Sequence, residues 1–387
     1  MTQTDFFNIS DLLTDEQRLV QQSVRDFSDR EIRPVIEDLA QKAEFPRYLI
    51  SKFGELGVFG PTIPVEYGGG GLDYTSYGLM CQEIERGDSG MRSTVSVQSS
   101  LVMWPIYAFG SEEQKRKYLP KLATGEWLGC FGLTEPDHGS NPGGMKTHLM
   151  KTAGGYLLNG SKMWISNAPF ADVAVVWARN EEGRVQGVLV ERGMDGFTTP
   201  EIHNKWSLRA SATGELVFDN VYIPAGNLLW GDVGLKAALQ CLDKARYGIA
   251  WGAIGAAIDC YETAVKYAAE RIQFDKPIGA FQLTQKKLAE MLTEITKAQL
   301  LAWRLGQLMD AGKATTVQIS MAKRNNVDMA LHTAREARQI LGAMGITGEY
   351  PIMRHMMNLE SVVTYEGTHD IHLLILGAEI TGISAFK

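Results

Sequence analysis

The sequence predicts an α+β chain in three successive parts: an all-α domain over residues 1–127, a β sandwich or small barrel over 128–234, and a helical bundle over 235–387. Three observations carry that division. Helical apolar periodicity runs from about residue 12 to 127, gives way near Trp127 to short β-favouring runs broken by turn residues, and returns from about Leu235. With 387 residues, 45% hydrophobic and 21% charged, the chain can bury two or three sizeable cores, and no internal repeat or long linker interrupts it.

In the first part, Thr14 with Gln17 and Ser111 with Gln114 have capping-box spacing, in which hydroxyl and amide each satisfy a backbone N–H at a helix start. The run Gly68 to Gly71 lacks the strand and helix context of a dinucleotide fingerprint and reads as a flexible loop. In the second part, Leu128 to Leu133, Tyr156 to Leu158, Met163 to Ile165, Val173 to Trp177, Gly187 to Val190 and Leu216 to Phe218 are the strand candidates. Asn159-Gly160 predicts a tight type I′ hairpin between two of them. In the third part, Gly248, Gly252 and Gly255 are spaced to let a partner helix approach closely.

Composition removes several function classes. A net charge of −7 leaves no broad basic field for a polyanion, so nucleic-acid binding is not expected. No apolar run is long enough to span a bilayer, and the opening Met1-Thr2-Gln3-Thr4-Asp5 has neither a signal-peptide core nor an Arg-rich transit character. The expected location is the cytoplasm, or the mitochondrial matrix if a transit segment was removed. Cys81, Cys130, Cys241 and Cys260 lack CxxC spacing and read as reduced, buried thiols, so no metal site is expected from them.

Three stretches carry chemistry. In Thr364-Tyr365-Glu366-Gly367-Thr368-His369-Asp370-Ile371-His372, one carboxylate stands between an aromatic residue and a glycine in an otherwise apolar region. Desolvation there raises the pKa of Glu366 toward the range where a carboxylate exchanges protons with carbon near neutral pH, although most glutamates are simply solvated. The turn-rich loop Thr134 to Asn141 offers backbone N–H groups and the Ser140 hydroxyl to a phosphate or ring edge. Trp164 and Ser166 lie two apart, so on a regular strand both point to one face, where an indole can stack on a flat heterocycle while a hydroxyl binds its edge. A core tryptophan beside a turn serine is an equal alternative on spacing alone.

The loop Thr134-Glu135-Pro136, the strand Trp164-Ile165-Ser166, Arg271-Ile272-Gln273-Phe274 with Phe281-Gln282, Gln339-Ile340-Leu341-Gly342, and Tyr365-Glu366-Gly367-Thr368 occur in order along essentially the whole chain. In this the chain resembles the acyl-CoA dehydrogenase family. Asp88 to Ser93, Ser96 to Ser100, Lys205 to Gly214 and Tyr365 to Ile371 are most similar to the decarboxylating glutaryl-CoA branch of that family.

The resemblance implies an N-terminal α domain, a middle β domain and a C-terminal four-helix bundle, assembled as a homotetramer around FAD. It implies flavin and pyrophosphate contacts from Thr134 and Ser140, and ring contacts from Trp164 and Ser166. Arg271, Gln282 and Gln339 are similar to residues that reach FAD across a subunit interface, Phe274 and Gly342 to other FAD-binding residues, Thr368 and Asp370 to residues closing over it, and Asp243 and Arg246 to residues touching CoA. By the same resemblance Glu366 abstracts the α-proton of an acyl-CoA, the β-hydride passes to flavin, and electron-transferring flavoprotein accepts the electrons.

A glutaryl chain ends in a second carboxylate whose burial calls for a cation, and Arg92, helped by Ser96, is the expected partner. An ion pair from Arg92 to Glu85 or Asp88 is an equal reading by spacing. Tyr365 and Glu85 match residues of decarboxylating members, which implies glutaryl-CoA oxidation through to crotonyl-CoA and CO2. The alternative is a dehydrogenase or oxidase of another short acyl-CoA without decarboxylation. The chain departs from the family pattern at Asn141, Asp275 and Ala343. Glu366, His369 and His372 have helical ligand spacing, but a dinuclear carboxylate site needs a second such motif on a helix, and the other copy, Glu135 to His138, spans Pro136.

Overall fold

The computed structural model describes residues 4–229 and 234–385, so the predicted domain boundary at 234 adjoins residues outside the described ones, as does part of the Met1 to Asp5 opening. Seven helices form the N-terminal part: α1 (Asp15–Phe27), α2 (Arg33–Lys42), α3 (Leu49–Leu56), α4 (Tyr74–Gly87), α5 (Ser89–Ser96), α6 (Trp104–Phe109) and α7 (Glu112–Ala123). The capping boxes expected at Thr14 and Ser111 open α1 and α7. π-Helical turns over Ser28–Ile32 and Val97–Met103 join α1 to α2 and α5 to α6. The Gly68 to Gly71 run is a tied turn and not a free loop, because Gly70 N–H donates to the Gly60 carbonyl at 3.2 Å and Gly71 N–H to Ile63 at 2.9 Å.

The middle part is one curved seven-stranded sheet. Its strands are β1 (Gly129–Gly132), β2 (His148–Thr152), β3 (Gly155–Ser166), β4 (Val173–Arg179), β5 (Val185–Glu191), β6 (Phe197–Thr198) and β7 (Thr213–Pro224). The order is β1-β4-β2-β3-β7-β6, with β5 on β4. The hairpin predicted at Asn159-Gly160 is not there. The turn between β2 and β3 is Ala153-Gly154, with Gly154 at φ 83°, and Asn159-Gly160 lies inside β3 where its register against β7 shifts. Gly160 is needed there because a Cβ would fall 2.7 Å from the Thr147 Cα.

The C-terminal part begins with the long α8 (Gly234–Glu270), continues through a small hairpin of β8 (Ile272–Gln273) and β9 (Lys276–Pro277), and ends in α9 (Gln282–Asp310), α10 (Thr316–Ile340), α11 (Ile352–Thr364) and α12 (His369–Thr381). Asp275, one of the departures from the family pattern, turns that hairpin at φ 61°, a conformation aspartate tolerates better than most side chains. All four cysteines are buried free thiols. Among the described residues no helix is long and apolar enough to cross a membrane.

Buried polar contacts tie the three parts together. Asp88 breaks the chain between α4 and α5 and caps α5 by accepting from Gly90 N–H at 2.7 Å. Its other oxygen accepts from Arg354 Nη1 and Asn358 Nδ2 of α11, each at 2.8 Å, while Asn358 Oδ1 accepts from Leu208 N–H of the middle part at 2.8 Å. One buried asparagine thus fixes all three parts relative to one another. The close approach expected at the α8 glycines is made with α4: a Cβ on Gly255 would stand 1.9 Å from the Gln82 carbonyl oxygen and 2.8 Å from Arg86 N. Backbone cannot yield as a side-chain tip can. Gly255→Ala is therefore expected to cost about 1–3 kcal/mol, the usual penalty of overpacking, read as a lower denaturant midpoint; an unchanged midpoint would contradict this packing account.

Candidate active site

Helices α11 and α12 meet at a corner over Tyr365 to Thr368, and the corner conformation follows from its sequence. Thr368 caps α12, its Oγ1 accepting from Ile371 N–H at 3.2 Å. Gly367 sits at φ 99° with His372 ring atoms 3.0 Å from where a Cβ would lie, so only glycine fits. Glu366 itself is left-handed at φ 54°, costly for a side chain of its kind and held by its surroundings. Lys323 Nζ of α10 donates to the Tyr365 carbonyl at 3.0 Å and the Gly367 carbonyl at 2.8 Å. Arg246 Nε of α8 donates to the Glu366 carbonyl at 2.7 Å.

The corner faces a cavity of about 1560 Å³ between the three parts. Glu366 lines it, and its Oε2 is buried with no hydrogen-bond partner among the described residues. Burial pushes the Glu366 carboxyl up to about 7, against the opposing pull of Arg92, Arg246 and Lys323. A carboxylate with a free lone pair and a proton affinity near neutrality is equipped to take a proton from a bound carbon acid. Glu366 stands outside α12, so its spacing to His369 and His372 is not a helical ligand stripe.

Behind the corner lies a second charged group of side chains. Arg92 is fully buried, Nε donating to Glu85 Oε2 at 2.5 Å and Nη2 to the Tyr365 hydroxyl, with its guanidinium carbon 5.7 Å from the Tyr365 ring centre. The break at Asp88 turns α5 so that Arg92 meets a residue seven positions earlier; Asp88 is taken by α11. The predicted ion pair with Glu85 is therefore present. Tyr365, Ser93 and Val97 form the adjoining cavity wall, and Arg92, Glu85 and Ser96 stand behind it. Glu85 Oε1 and Ser96 Oγ are buried without partners among the described residues. Gly252 of α8 makes room, since a Cβ there would fall 2.1 Å from Glu85 Oε2.

The opposite wall comes from the sheet. Thr134 and Ser140 line the cavity from the loop after β1, which is anchored by Glu135: its oxygens accept from Lys146 N–H at 2.6 Å, Thr147 N–H at 2.9 Å and the buried Lys162 Nζ at 2.9 Å. Trp164 and Ser166 line it too, though not by simple strand alternation. A bulge between Lys162 and Ile165 puts Trp164 at φ 63° and leaves its indole 57% exposed on the cavity face. A large aromatic held there at backbone cost suits a planar ring, and the cavity exceeds the roughly 300–1,000 Å³ that a small ligand needs. A flavin dinucleotide together with a thioester fits both facts.

Asp243 and Arg246 also line the cavity, but Arg246 is buried and committed to the Glu366 carbonyl and to Asp243 Oδ1 at 3.1 Å. Thr368 lines it as well, whereas Asp370 is exposed on the first turn of α12. Arg271, Phe274, Gln282, Gln339 and Gly342 are all exposed and away from this cavity, so a single chain does not bring them to it. Sequence reasoning missed Lys323. Its signal was available, for Lys323 falls at helical spacing from Ile319 and Val327 on the buried face of α10.

Residues 14–126 match the acyl-CoA dehydrogenase N-terminal domain, 130–221 the middle domain and 232–381 the C-terminal domain. The chain is 40% identical over 376 residues to an acyl-CoA dehydrogenase of Bacillus subtilis, covering 96% of this chain and 99% of that protein. It is 51% identical to the crystal structure of glutaryl-CoA dehydrogenase from Mycobacterium smegmatis, with a TM-score of 0.97 and 99% of each chain covered. A second structure of that enzyme, in complex with FADH2, is matched at 50% identity, TM-score 0.97 and 99% coverage of both chains. Butyryl-CoA dehydrogenase from Megasphaera elsdenii is 36% identical with a TM-score of 0.92, over 95% of this chain and 98% of that one. The chain belongs to the acyl-CoA dehydrogenase family. Its chemistry is the FAD-dependent dehydrogenation of an acyl-CoA thioester.

Trp164→Ala is expected to weaken FAD retention about tenfold, the upper range for an aromatic stacking contact, with Trp164→Phe recovering most of it. Titration of the apoprotein with FAD, followed by flavin fluorescence, reads the effect; unchanged affinity would remove Trp164 from the ring contact.

Proposed function

We propose that this enzyme oxidises glutaryl-CoA and decarboxylates the product to crotonyl-CoA, with Glu366 as the base. The observation that carries this reading is the buried guanidinium of Arg92, hydrogen-bonded to the Tyr365 hydroxyl beside the base. A hydrocarbon chain has no use for a desolvated cation, whereas a terminal carboxylate does. The sequence expectation had Arg92 touch that carboxylate directly. In the refined reading the Tyr365 hydroxyl stands at the wall and Arg92 polarises it from behind, while Ser96, expected as a helper, stands behind the same wall.

Glu366 takes the proton from the α carbon through its unpartnered Oε2, and its backbone N–H is a donor for the thioester oxygen as charge builds there. Trp164 and Ser166 would hold FAD, which when bound would supply the acceptor for the β-hydrogen and its electron pair. The bond from the γ carbon to the carboxylate then breaks, its electrons flow into the conjugated thioester, and CO2 leaves. Glu366 returns its proton to the γ carbon to give crotonyl-CoA. Throughout, Arg92 keeps Glu85 and the Tyr365 hydroxyl as its partners, and the Tyr365 hydroxyl is the group the departing carboxylate leaves.

We further propose electron-transferring flavoprotein as the electron acceptor and a homotetramer as the working form. Support for association is a set of exposed apolar side chains on the C-terminal helices and hairpin: Phe274 at 87%, Ile380 at 80% and Leu283 at 75% exposure. Apolar surface of this kind is covered in oligomers, and it includes Phe274, which resembles an FAD-binding residue. A second reading, oxidation of an uncharged short acyl chain, is favoured by the Arg92–Glu85 pair, because a cation already neutralised attracts a carboxylate less.

Three measurements test the proposal, the first separating the two substrates and the others testing the base. Arg92→Ala is expected to abolish the preference for glutaryl-CoA over butyryl-CoA, while equal loss on both substrates would count against a carboxylate role. Glu366→Gln is expected to keep FAD bound and stop its bleaching by substrate. In the unaltered enzyme the carboxylate is the active form, so flavin reduction should rise with pH through about 7; a profile flat from pH 5.5 to 8.5 would mean another base.

A further inference from the structure

Lys323 is fully buried on α10 and makes no ion pair among the described residues. A desolvated ammonium without a carboxylate is costly, and such groups persist where backbone carbonyls or a function hold them. Its two hydrogen bonds go to the carbonyls on either side of Glu366, at 3.0 Å to Tyr365 and 2.8 Å to Gly367. Arg246 takes the carbonyl between them. Three consecutive carbonyls are thus held by two cations from two different helices, across a corner whose central residue is left-handed at φ 54°.

We propose that Lys323 is a positioning residue: by clasping the carbonyls that bracket Glu366, it fixes the strained corner that aims the carboxylate into the cavity. The inference rests on Glu366 being the base. Without the clasp, the corner is free to relax toward an ordinary backbone conformation, carrying the carboxylate off the line to its carbon acid. A misplacement of about 1 Å in such a group costs roughly a hundredfold in rate.

The ammonium also acts through charge. Burial pushes Lys323 down to about 7, with Glu366 pulling it up and Arg246 and Arg92 pressing it down. The other groups facing it are His369 and His372 of α12, both lowered by burial and by this lysine, His372 to about 3. Those histidines are neutral near pH 7, so Arg246, Arg92 and, in the protonated form it holds below about 7, Lys323 are the cations that restrain the rise of the Glu366 pKa. Removing one of them moves the base's titration upward.

The test is anaerobic flavin reduction by saturating acyl-CoA in the FAD-loaded enzyme, across pH 5.5 to 9, for Lys323→Met and Lys323→Gln. Lys323→Met loses donors and charge; the expected result is retained FAD, reduction slowed roughly a hundredfold and a rising limb displaced to higher pH. Lys323→Gln keeps amide donors without charge; its rate should recover to within about tenfold of the unaltered enzyme while the limb stays displaced. A purely structural lysine would lower FAD content or thermal midpoint without moving the limb. If Lys323→Met does not fold, Lys323→Gln decides alone, and an unmoved limb in it overturns the proposal. Unaltered rate and limb in Lys323→Met overturn it equally. Substrate bleaching that survives in Glu366→Gln would instead overturn the base assignment, so the two failures are distinguishable.

Discussion

The site depends on a short corner of backbone being held in a conformation it would not choose. Glu366 is left-handed because Gly367 and the Thr368 cap commit the next helix immediately, and because Lys323 and Arg246 bind the three carbonyls around it. That corner takes Glu366 out of either helix and lets its carboxylate look into the cavity. The same cations offset part of the desolvation that burial imposes. Geometry and proton affinity therefore have a common source, which makes the corner sensitive to substitutions that touch no ligand.

The corner works only if its neighbours are fixed. Asp88 and Asn358 join the N-terminal helices, the sheet and α11 through buried hydrogen bonds. The break they enforce between α4 and α5 turns Arg92 back toward Glu85 and under Tyr365. Gly252 and Gly255 let α8 press against α4 closely enough to seal that pair from water. Buried ion pairs contribute little net stability, so the pair is better understood as a fixed polar floor. Its neutrality also sets the specificity problem, because the floor must still offer donors to a charged chain end.

Much of this was legible in the sequence. The change of period at Trp127 marked the sheet, the capping boxes marked helix starts, and the setting of Glu366 between an aromatic residue and a glycine marked a desolvated carboxylate that lines the cavity. What failed did so for local reasons. Asn159-Gly160 has hairpin chemistry, but its cross-strand partners continue on both sides, so tertiary pairing overrode the turn. Trp164 and Ser166 share the cavity through a bulge that alternation cannot foresee. Arg92 was expected at the wall and stands behind it, since spacing does not reveal which side chain comes between. Arg271, Phe274, Gln282, Gln339 and Gly342 lie on an outer face, where a single chain gives them no ligand.

The most direct test is a crystal structure of the FAD-loaded enzyme with a non-oxidisable glutaryl thioester analogue. The account predicts the α carbon beside the Glu366 carboxylate and the terminal carboxylate against the Tyr365 hydroxyl with Arg92 behind it. A chain end turned away from Tyr365, or an α carbon out of reach of the Glu366 carboxylate, would contradict it.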